Sequence, residues 1–455
     1  GSGVAEVLTK NSGLIDGRVN NQVRLKYIMR ARDIFEGPYK DLFVKDFSTI
    51  EHDPEVGIVV ETIGGVGAAL DYTTRALKAG KSVVTANKEL VATHGYQLAK
   101  EHGVSYLFEA SVGGGIPILR PLNACLAANE VDQVTGILNG TTNYILTRMI
   151  KAGLTFDQAL KEAQANGYAE QDPTADIEGH DACRKICILA SLAFGRHIYP
   201  RQVPTQGITE LTGADVAYAA GAGYRWKLLG RAIRQADGRL CIYVAPHLVG
   251  EENPLSGVED VFNAIAVTGN AVGDVMFYGR GAGKLPTASA VVADVMDIAR
   301  DTHRDHRNQW GPGAPDLVVS SDLLTSRWYV RAQISMDQAR LACGELQPLA
   351  RSGAPAGEAA FLTAPMTEPQ LRDRLAGVEV DSLFRWTGGS RTGNLRLDQP
   401  LEGNDIWHSL YKNSAAALSP TRTACATWPG SSQRPIARGT VWWWCSPPRG
   451  IPPMI

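Results

Sequence analysis

The chain has 455 residues and a formal net charge of −2, enough for two or three cores and too balanced to draw a nucleic acid or an anionic membrane by bulk electrostatics. No apolar run reaches membrane-spanning length and no secretory leader opens the sequence. The 7 cysteines are scattered without paired metal-ligand spacing, which fits a reducing, cytoplasmic setting.

Gly1-Ser2-Gly3 followed by Val4-Ala5-Glu6-Val7-Leu8 reads as the start of a helix with no strand ahead of it. In a dinucleotide-binding unit a buried strand feeds a glycine-rich turn, and the pyrophosphate rests on the next helix's N-terminus. Gly1 stands where the last of those glycines belongs, so the chain is expected to be truncated at its start and to lack the first strand. Residues 24–29 read as the second strand, followed by Arg30, Arg32 and Asp33. Arginine there meets a 2′-phosphate and an acid the ribose hydroxyls, so NADP and NAD both stay open. Residues 57–65 form a parallel strand ending in glycines, where a ligand can approach the backbone closely. A helix over 71–79 and a strand with its terminal loop over 82–88 complete a Rossmann-like alternation, whose strand ends carry Gly64, Thr85 and Lys88. Residues 106–117 run from a strand into three glycines. Glu109 and the carbonyls of Val112, Gly114 and Ile116 would offer a hard cation several oxygens there; the competing reading is a ligand-approach turn.

Residues 118–128 read as helical, and 134–144 as a strand ending in the polar turn Asn139-Gly-Thr-Thr-Asn143 or as a hairpin-like cap. An amphipathic helix is expected over 155–167. The stretch after it concentrates Glu170, Asp172, Asp176, Asp181 and Lys185. Residues 182–194 carry Ala, Ile and Leu at helical spacing and read as a buried helix. Asp181 falls at its first turn, where the backbone dipole favours negative charge, and Lys185 four residues on shares that face. Gly167 ends the preceding helix and Asp172-Pro173 makes a rigid loop, so Glu170 and Asp176 sit on irregular backbone. A lysine held among carboxylates serves either as a proton donor and acceptor or as the ion-pair partner of a capped helix. Cys183 and Cys187 read as small core residues of the same helix.

Two strand-like runs, 223–235 and 240–248, are joined through Asp237-Gly238, a strong hairpin signal, and 261–269 and 274–278 continue the strand pattern into an open mixed sheet. The glycine-rich loop over 279–287 opens a helix over 288–300 and suits an anionic ligand. A linker over 302–324 leads to strand 327–334, helix 337–346, strand 359–363, helix 367–375 and strand 378–384. No acidic residue follows Asp405, and a tail with Trp442-Trp-Trp444 and proline clusters has no core-forming period, so it reads as disordered.

From Ala163 to Lys185 the order of small residue, Gly167, Glu170, Asp172-Pro173, Asp176, Gly179, Asp181 and Lys185 resembles the homoserine dehydrogenase signature, and the resemblance spans roughly residues 1–300. It implies an α/β chain: a Rossmann-like nucleotide-binding domain over 1–117 with its first strand missing, and an α+β substrate and dimerisation domain with a mixed sheet over 118–300, its last part (275–300) returning to the first domain. After the linker (301–324), residues 325–390 resemble a divergent ACT-like domain, a module that binds amino acids in many bacterial members, with 391–455 as the tail. In the family the lysine matching Lys185 gives and takes the proton. The acids matching Glu170, Asp176 and Asp181 hold the amino-alcohol and orient that lysine, while the lysine matching Lys88 reaches cofactor and substrate. The resemblance further implies that Gly1, Arg30, Gly64, Thr85, Lys88 and Gly283 meet NADP or NAD, and that Glu109, Val112, Gly114 and Ile116 hold a sodium ion. The implied activity is interconversion of L-homoserine and L-aspartate 4-semialdehyde for threonine and methionine biosynthesis, in a cytoplasmic homodimer or homotetramer with no nucleic-acid or membrane partner. An aspartate-semialdehyde dehydrogenase would need a nucleophilic cysteine, which Cys125 on an apolar helix supplies poorly. The remaining alternative is a non-catalytic remnant, or an amino-acid-binding protein of the same fold that has lost cofactor binding.

Overall fold

The computed structural model describes residues 1–30, 38–100, 103–300 and 310–388, so Arg32, Asp33 and the tail expected over 391–455 lie outside the described residues. The first part of the chain runs α1 (Ser2–Lys10), α2 (Ser12–Val19), β1 (Ile28–Met29), β2 (Phe43–Val44), α3 (Ser48–Glu51), β3 (Ile58–Glu61), α4 (Gly67–Lys78), β4 (Ser82–Thr85), α5 (Lys88–Lys100) and β5 (Tyr106–Leu107). Strands β3, β4 and β5 form one parallel sheet, while β1 and β2 pair in a separate parallel pair. The expected strand 24–29 is reduced to its last two residues. The side chains ahead of them are taken up by the 53–55 turn: Lys26 lies 2.6 Å from Asp53, and the Tyr27 hydroxyl donates to Asp53 at 2.9 Å. Helices α4 and α5 bury Ala69, Ala76, Leu77, Leu90 and Val91 against the sheet, as the apolar faces of parallel-sheet crossovers must.

The chain continues through β6 (Val131–Ile137), α6 (Gly140–Ala152), α7 (Phe156–Ala165), α8 (Thr174–Ile177), α9 (His180–Phe194), α10 (Gly213–Gly221), β7 (Arg225–Arg234), β8 (Leu240–Val249), β9 (Phe262–Gly269), β10 (Gly273–Arg280) and α11 (Lys284–Arg300). Where residues 118–128 read as a helix, only a π turn over Pro121–Cys125 forms after Leu119-Arg120. There the Leu126 N–H reaches the Pro121 carbonyl, five residues back, in place of the four-residue step of an α-helix. Helix α11 returns to the first part of the molecule and packs on α1 and α2, burying Val291, Val292 and Val295 with Val4 and Leu8.

The last described part holds β11 (Val318–Val319), β12 (Trp328–Gln333), α12 (Met336–Cys343), β13 (Leu346–Leu349), β14 (Glu358–Thr363), α13 (Glu368–Arg374) and β15 (Val380–Thr387). The expected strand–helix–strand–helix–strand order thus gains β13 and becomes βαββαβ. Pro348 hid that strand from the sequence pattern, and proline is tolerated here because, among the described residues, β13 pairs only with β14 at the sheet edge. Val318-Val319 gives the expected linker a short strand on β8.

These strands join in one 10-stranded sheet of order β10-β9-β6-β7-β8-β15-β12-β14-β13, with β11 also on β8. All neighbours on that path are antiparallel except β8 and β15, which run parallel from Arg385↔His247 to Thr387↔Val249. Helix α9 lies on β6, β7 and β8, with Ala182, Ile186, Cys187, Leu189 and Ala190 at 0% exposure. Two glycines paired across the sheet, Gly136 and Gly230, make that approach possible. A Cβ on Gly230 would stand 2.8 Å from Leu138 and 3.2 Å from Ile186, and one on Gly136 would stand 2.7 Å from Leu138. The bare backbone lets Leu138 fold across the strands beneath α9, which is what brings its carbonyl to Lys185.

Candidate active site

Helix α9 starts after Gly179, whose φ of +81° is a left-handed conformation that a side chain would strain. One residue into the helix, Asp181 points inward at 3% exposure, and Lys185 sits one turn later at 8%. Lys185 Nζ donates to Asp181 Oδ2 at 2.7 Å and to the Leu138 carbonyl at 2.7 Å. Lys88, the first residue of α5, lies with Nζ 2.6 Å from Asp181 Oδ1. One carboxylate therefore holds two ammonium groups from different elements. Burial alone would raise the Asp181 carboxyl, but the charges and hydrogen bonds of Lys185 and Lys88 outweigh it and hold the group well below the carboxylate range.

Asn139 ties a second acid to this pair. As the N-cap of α6 it accepts from Thr142 N at 2.8 Å, and its Nδ2 donates to Asp176 at 2.6 Å and to Asp181 at 2.8 Å. Burial raises the Asp176 carboxyl and the nearby Asp181 charge adds to the rise, with the Asn139 hydrogen bond opposing both. Asp172 serves the loop itself, accepting from Thr174 N at 3.1 Å and Thr174 Oγ1 at 2.6 Å. Glu170 is exposed, and among the described residues no hydrogen bond or ion pair joins its side chain to the cluster. Lys185, Asp181, Lys88 and Asp176 are thus brought together, and Glu170 stands apart from them.

The residues expected to meet a nucleotide lie at strand ends and helix starts. Gly1 caps α1 with no side-chain hydrogen bond and no acid in the first turn, which leaves early N–H groups of that helix open to an anion. A Cβ on Gly1 would stand 3.5 Å from Thr62, and one on Gly3 would stand 2.7 Å from the Lys284 carbonyl, so α1 begins beside the 62–65 loop and the start of α11. Gly64, at φ +85°, has open space where a side chain would project, and Gly283 precedes α11 at φ +125°. Arg30 is exposed, its N–H bonded to the Val44 carbonyl. Thr85 differs from expectation: it is fully buried, and its hydroxyl donates to Glu61 rather than facing outward. A dinucleotide's phosphates fit this arrangement of bare helix N-terminus and glycines.

The Glu109 side chain does not fit a cation. Its carboxylate accepts from Ile118 N at 2.6 Å, Leu119 N at 3.0 Å and Arg120 N at 2.7 Å, so it closes the start of the 119–125 turn. Val112 and Ile116 are buried, and a Cβ on Gly114 would stand 2.7 Å from the Gly281 carbonyl. The glycine turn therefore packs backbone on backbone. Among the described residues no group of three or more His, Cys, Asp or Glu side chains is placed to hold a metal.

The sequence pattern did not single out Glu61, the buried last residue of β3, although an acid ending an apolar parallel strand was a usable signal. The Leu138 carbonyl had none, since a main-chain acceptor leaves no mark on residue identity. No helix of the described residues is long and apolar enough to cross a membrane.

Comparison with known proteins bears on the whole arrangement. Residues 1–109 match the family model "Homoserine dehydrogenase, NAD binding domain" and residues 117–296 match "Homoserine dehydrogenase". The homoserine dehydrogenase of Neisseria gonorrhoeae is 42% identical over 348 residues, covering 73% of this chain and 79% of that one. The Bacillus subtilis enzyme is 42% identical over 310 residues, covering 66% and 71%. A homoserine dehydrogenase structure from Thiobacillus denitrificans superposes with a TM-score of 0.76 at 35% identity, over 85% of this chain and 96% of that one. A hyperthermophilic archaeal homoserine dehydrogenase in complex with NADPH gives 0.55 at 25% identity, over 67% and 95%.

Proposed function

Since the chain belongs to the homoserine dehydrogenase family and its activity is the NAD(P)-dependent interconversion of L-homoserine and L-aspartate 4-semialdehyde, we propose that Lys185 moves the proton at the substrate's oxygen and Asp181 holds it in place. The observation that carries this reading is the single buried carboxylate shared by Lys185 and Lys88. An ammonium has three N–H groups, and two of those on Lys185 are committed to Leu138 and Asp181, leaving one for a substrate oxygen. The nicotinamide, when bound, supplies or accepts the hydride. In the oxidising direction neutral Lys185 takes the hydroxyl proton, and in the reducing direction its ammonium returns a proton to the aldehyde oxygen. Asp176, with Glu170 from the exposed loop, would receive the substrate's own ammonium, and Lys88 would steady the oxygen from the nucleotide side. Gly1, Arg30, Gly64, Lys88 and Gly283 would line the cofactor, with Thr85 acting from within through Glu61.

The same reading divides the chain at 1–117, 118–300, 301–324 and 325–390. The βαββαβ order of 325–390 supports an ACT-like module. Edge strand β10, with Met276 at 43% and Tyr278 at 55% exposure, supports a homodimer or homotetramer built on this sheet. A sodium ion, if held by the glycine turn, would take the main-chain oxygens of Glu109, Val112, Gly114 and Ile116. Supply of threonine and methionine precursors in the cytoplasm, with NADP or NAD, completes the proposal.

The test is Lys185→Met, assayed for homoserine oxidation beside a fluorescence titration with NADPH. Turnover should fall by ~10²–10⁴-fold, the usual loss of a general acid or base, with cofactor affinity kept. Turnover within a few-fold of the parent chain would refute the role given to Lys185.

A further inference from the structure

Glu61 is 4% exposed at the end of β3, directly across from Thr85 of β4. Its two oxygens go to different segments: Oε1 accepts from Ile63 N in the loop after β3 at 2.6 Å, and Oε2 accepts from the Thr85 hydroxyl at the end of β4. Thr85 Oγ1 accepts from Asn87 N at 2.9 Å, and Asn87 Nδ2 donates back to the Gly65 carbonyl at 2.6 Å. The circuit closes, because Ile63 and Gly65 belong to the same loop. Asn87 Oδ1 also accepts from Leu90 N at 3.0 Å and so caps the helix whose first residue is Lys88. The loop after β3 and the start of α5 are therefore one hydrogen-bonded unit, and Lys88 leaves that unit to reach Asp181.

We propose that Glu61 is a positioning residue for the reaction: it locks the 62–65 loop on the cofactor side and, through Thr85 and Asn87, sets where Lys88 meets Asp181. This rests on the reading of the site given above. N–H donors fix every hydrogen bond in the circuit but one, and the direction of that one, between Thr85 and Glu61, follows from the carboxylate. Ionised, Glu61 can only accept, so the Thr85 hydroxyl must donate to it and must turn a lone pair to Asn87 N. An amide of the same shape keeps a single acceptor oxygen: with it on Ile63 N, the NH₂ group donates to Thr85 Oγ1 and the Thr85 O–H loses its acceptor, and with it on Thr85, Ile63 N faces an NH₂ group.

The experiment compares the parent chain with Glu61→Gln and Glu61→Asp, alone and combined with Lys88→Met. Hydrogen exchange on the chain without cofactor reads the circuit directly, because the acceptors of Ile63, Asn87 and Leu90 N–H are side-chain atoms within it. Glu61→Gln should speed exchange in 62–65 and 87–90 while the mixed sheet keeps its protection. NADPH affinity should weaken by roughly 10- to 100-fold, the scale of one lost hydrogen bond to a charged group. Glu61→Asp should fall between, and the effects of Glu61→Gln and Lys88→Met on kcat/KM should be less than additive. Unchanged exchange, unchanged NADPH affinity or full additivity with Lys88→Met would overturn the proposal while leaving the Lys185 assignment standing. If turnover instead survives Lys185→Met, the catalytic reading fails, and the exchange experiment still decides whether Glu61 ties the two loops together.

Discussion

Replacing Asp181 with Asn keeps the shape of the side chain and removes the one charge that Lys185 and Lys88 share. The Asn139 amide can still donate to the new carbonyl, and so can Lys185, but Lys88 then faces an NH₂ group instead of Oδ1, 2.6 Å away in the parent. Lys185, at 8% exposure, is then left as a poorly hydrated ammonium without its carboxylate, while the partly exposed Lys88 can turn to water. Removing one partner of a buried ion pair costs about 3–5 kcal/mol. A separate estimate agrees: the attraction of a unit-charge pair about 4 Å apart at an effective dielectric near 20 is about 4 kcal/mol. The pH dependence distinguishes this from a packing defect. The Asp181 carboxyl is depressed in the folded chain, so its contribution is fully present above the unfolded value near ~3.9 and is lost as pH falls toward the folded value. Urea unfolding of both chains should give a constant gap between pH 7 and about 4, then a gap that narrows by about 1.4 kcal/mol per pH unit. A gap under about 1 kcal/mol at pH 7, or one that stays the same from pH 5 to pH 3, would refute the reasoning.

Two further substitutions probe the scaffold. A Cβ on Gly207 would stand 2.1 Å from the Ile177 carbonyl and 2.5 Å from Glu178 Cα, both backbone, so Gly207→Ala must push the turn that carries Asp176. Thermal unfolding should show a loss of about 1–3 kcal/mol or more, and a melting temperature equal to the parent's would contradict it. Arg331 joins Asp215 at 2.8 Å and Glu358 at 3.0 Å, which fastens β12 to α10, and both acids keep only part of their pairing without it. Arg331→Met should cost about 3–5 kcal/mol in urea unfolding, and a change below about 1 kcal/mol would show the network to be dispensable.

What the sequence determined by itself is local. Asp181 and Lys185 share a face because a helix repeats every 3.6 residues, and the run that follows them is apolar enough to bury that helix. The β7–β8 hairpin followed from Asp237-Gly238 for the same reason: a tight turn is decided by the residues within it. The circuit around the site was decided by tertiary structure. Asn139 reaches Asp181 across 42 residues, and Leu138 accepts from Lys185 across 47, through a strand and helix that meet only because Gly136 and Gly230 leave room beneath α9. The same holds where expectation and structure part: Thr85 turns inward and the Glu109 carboxylate closes a backbone turn. Spacing along a chain says which side chains share an element. Which donor a buried oxygen meets depends on elements packed from elsewhere, and the cost of leaving such an oxygen unpaired settles it.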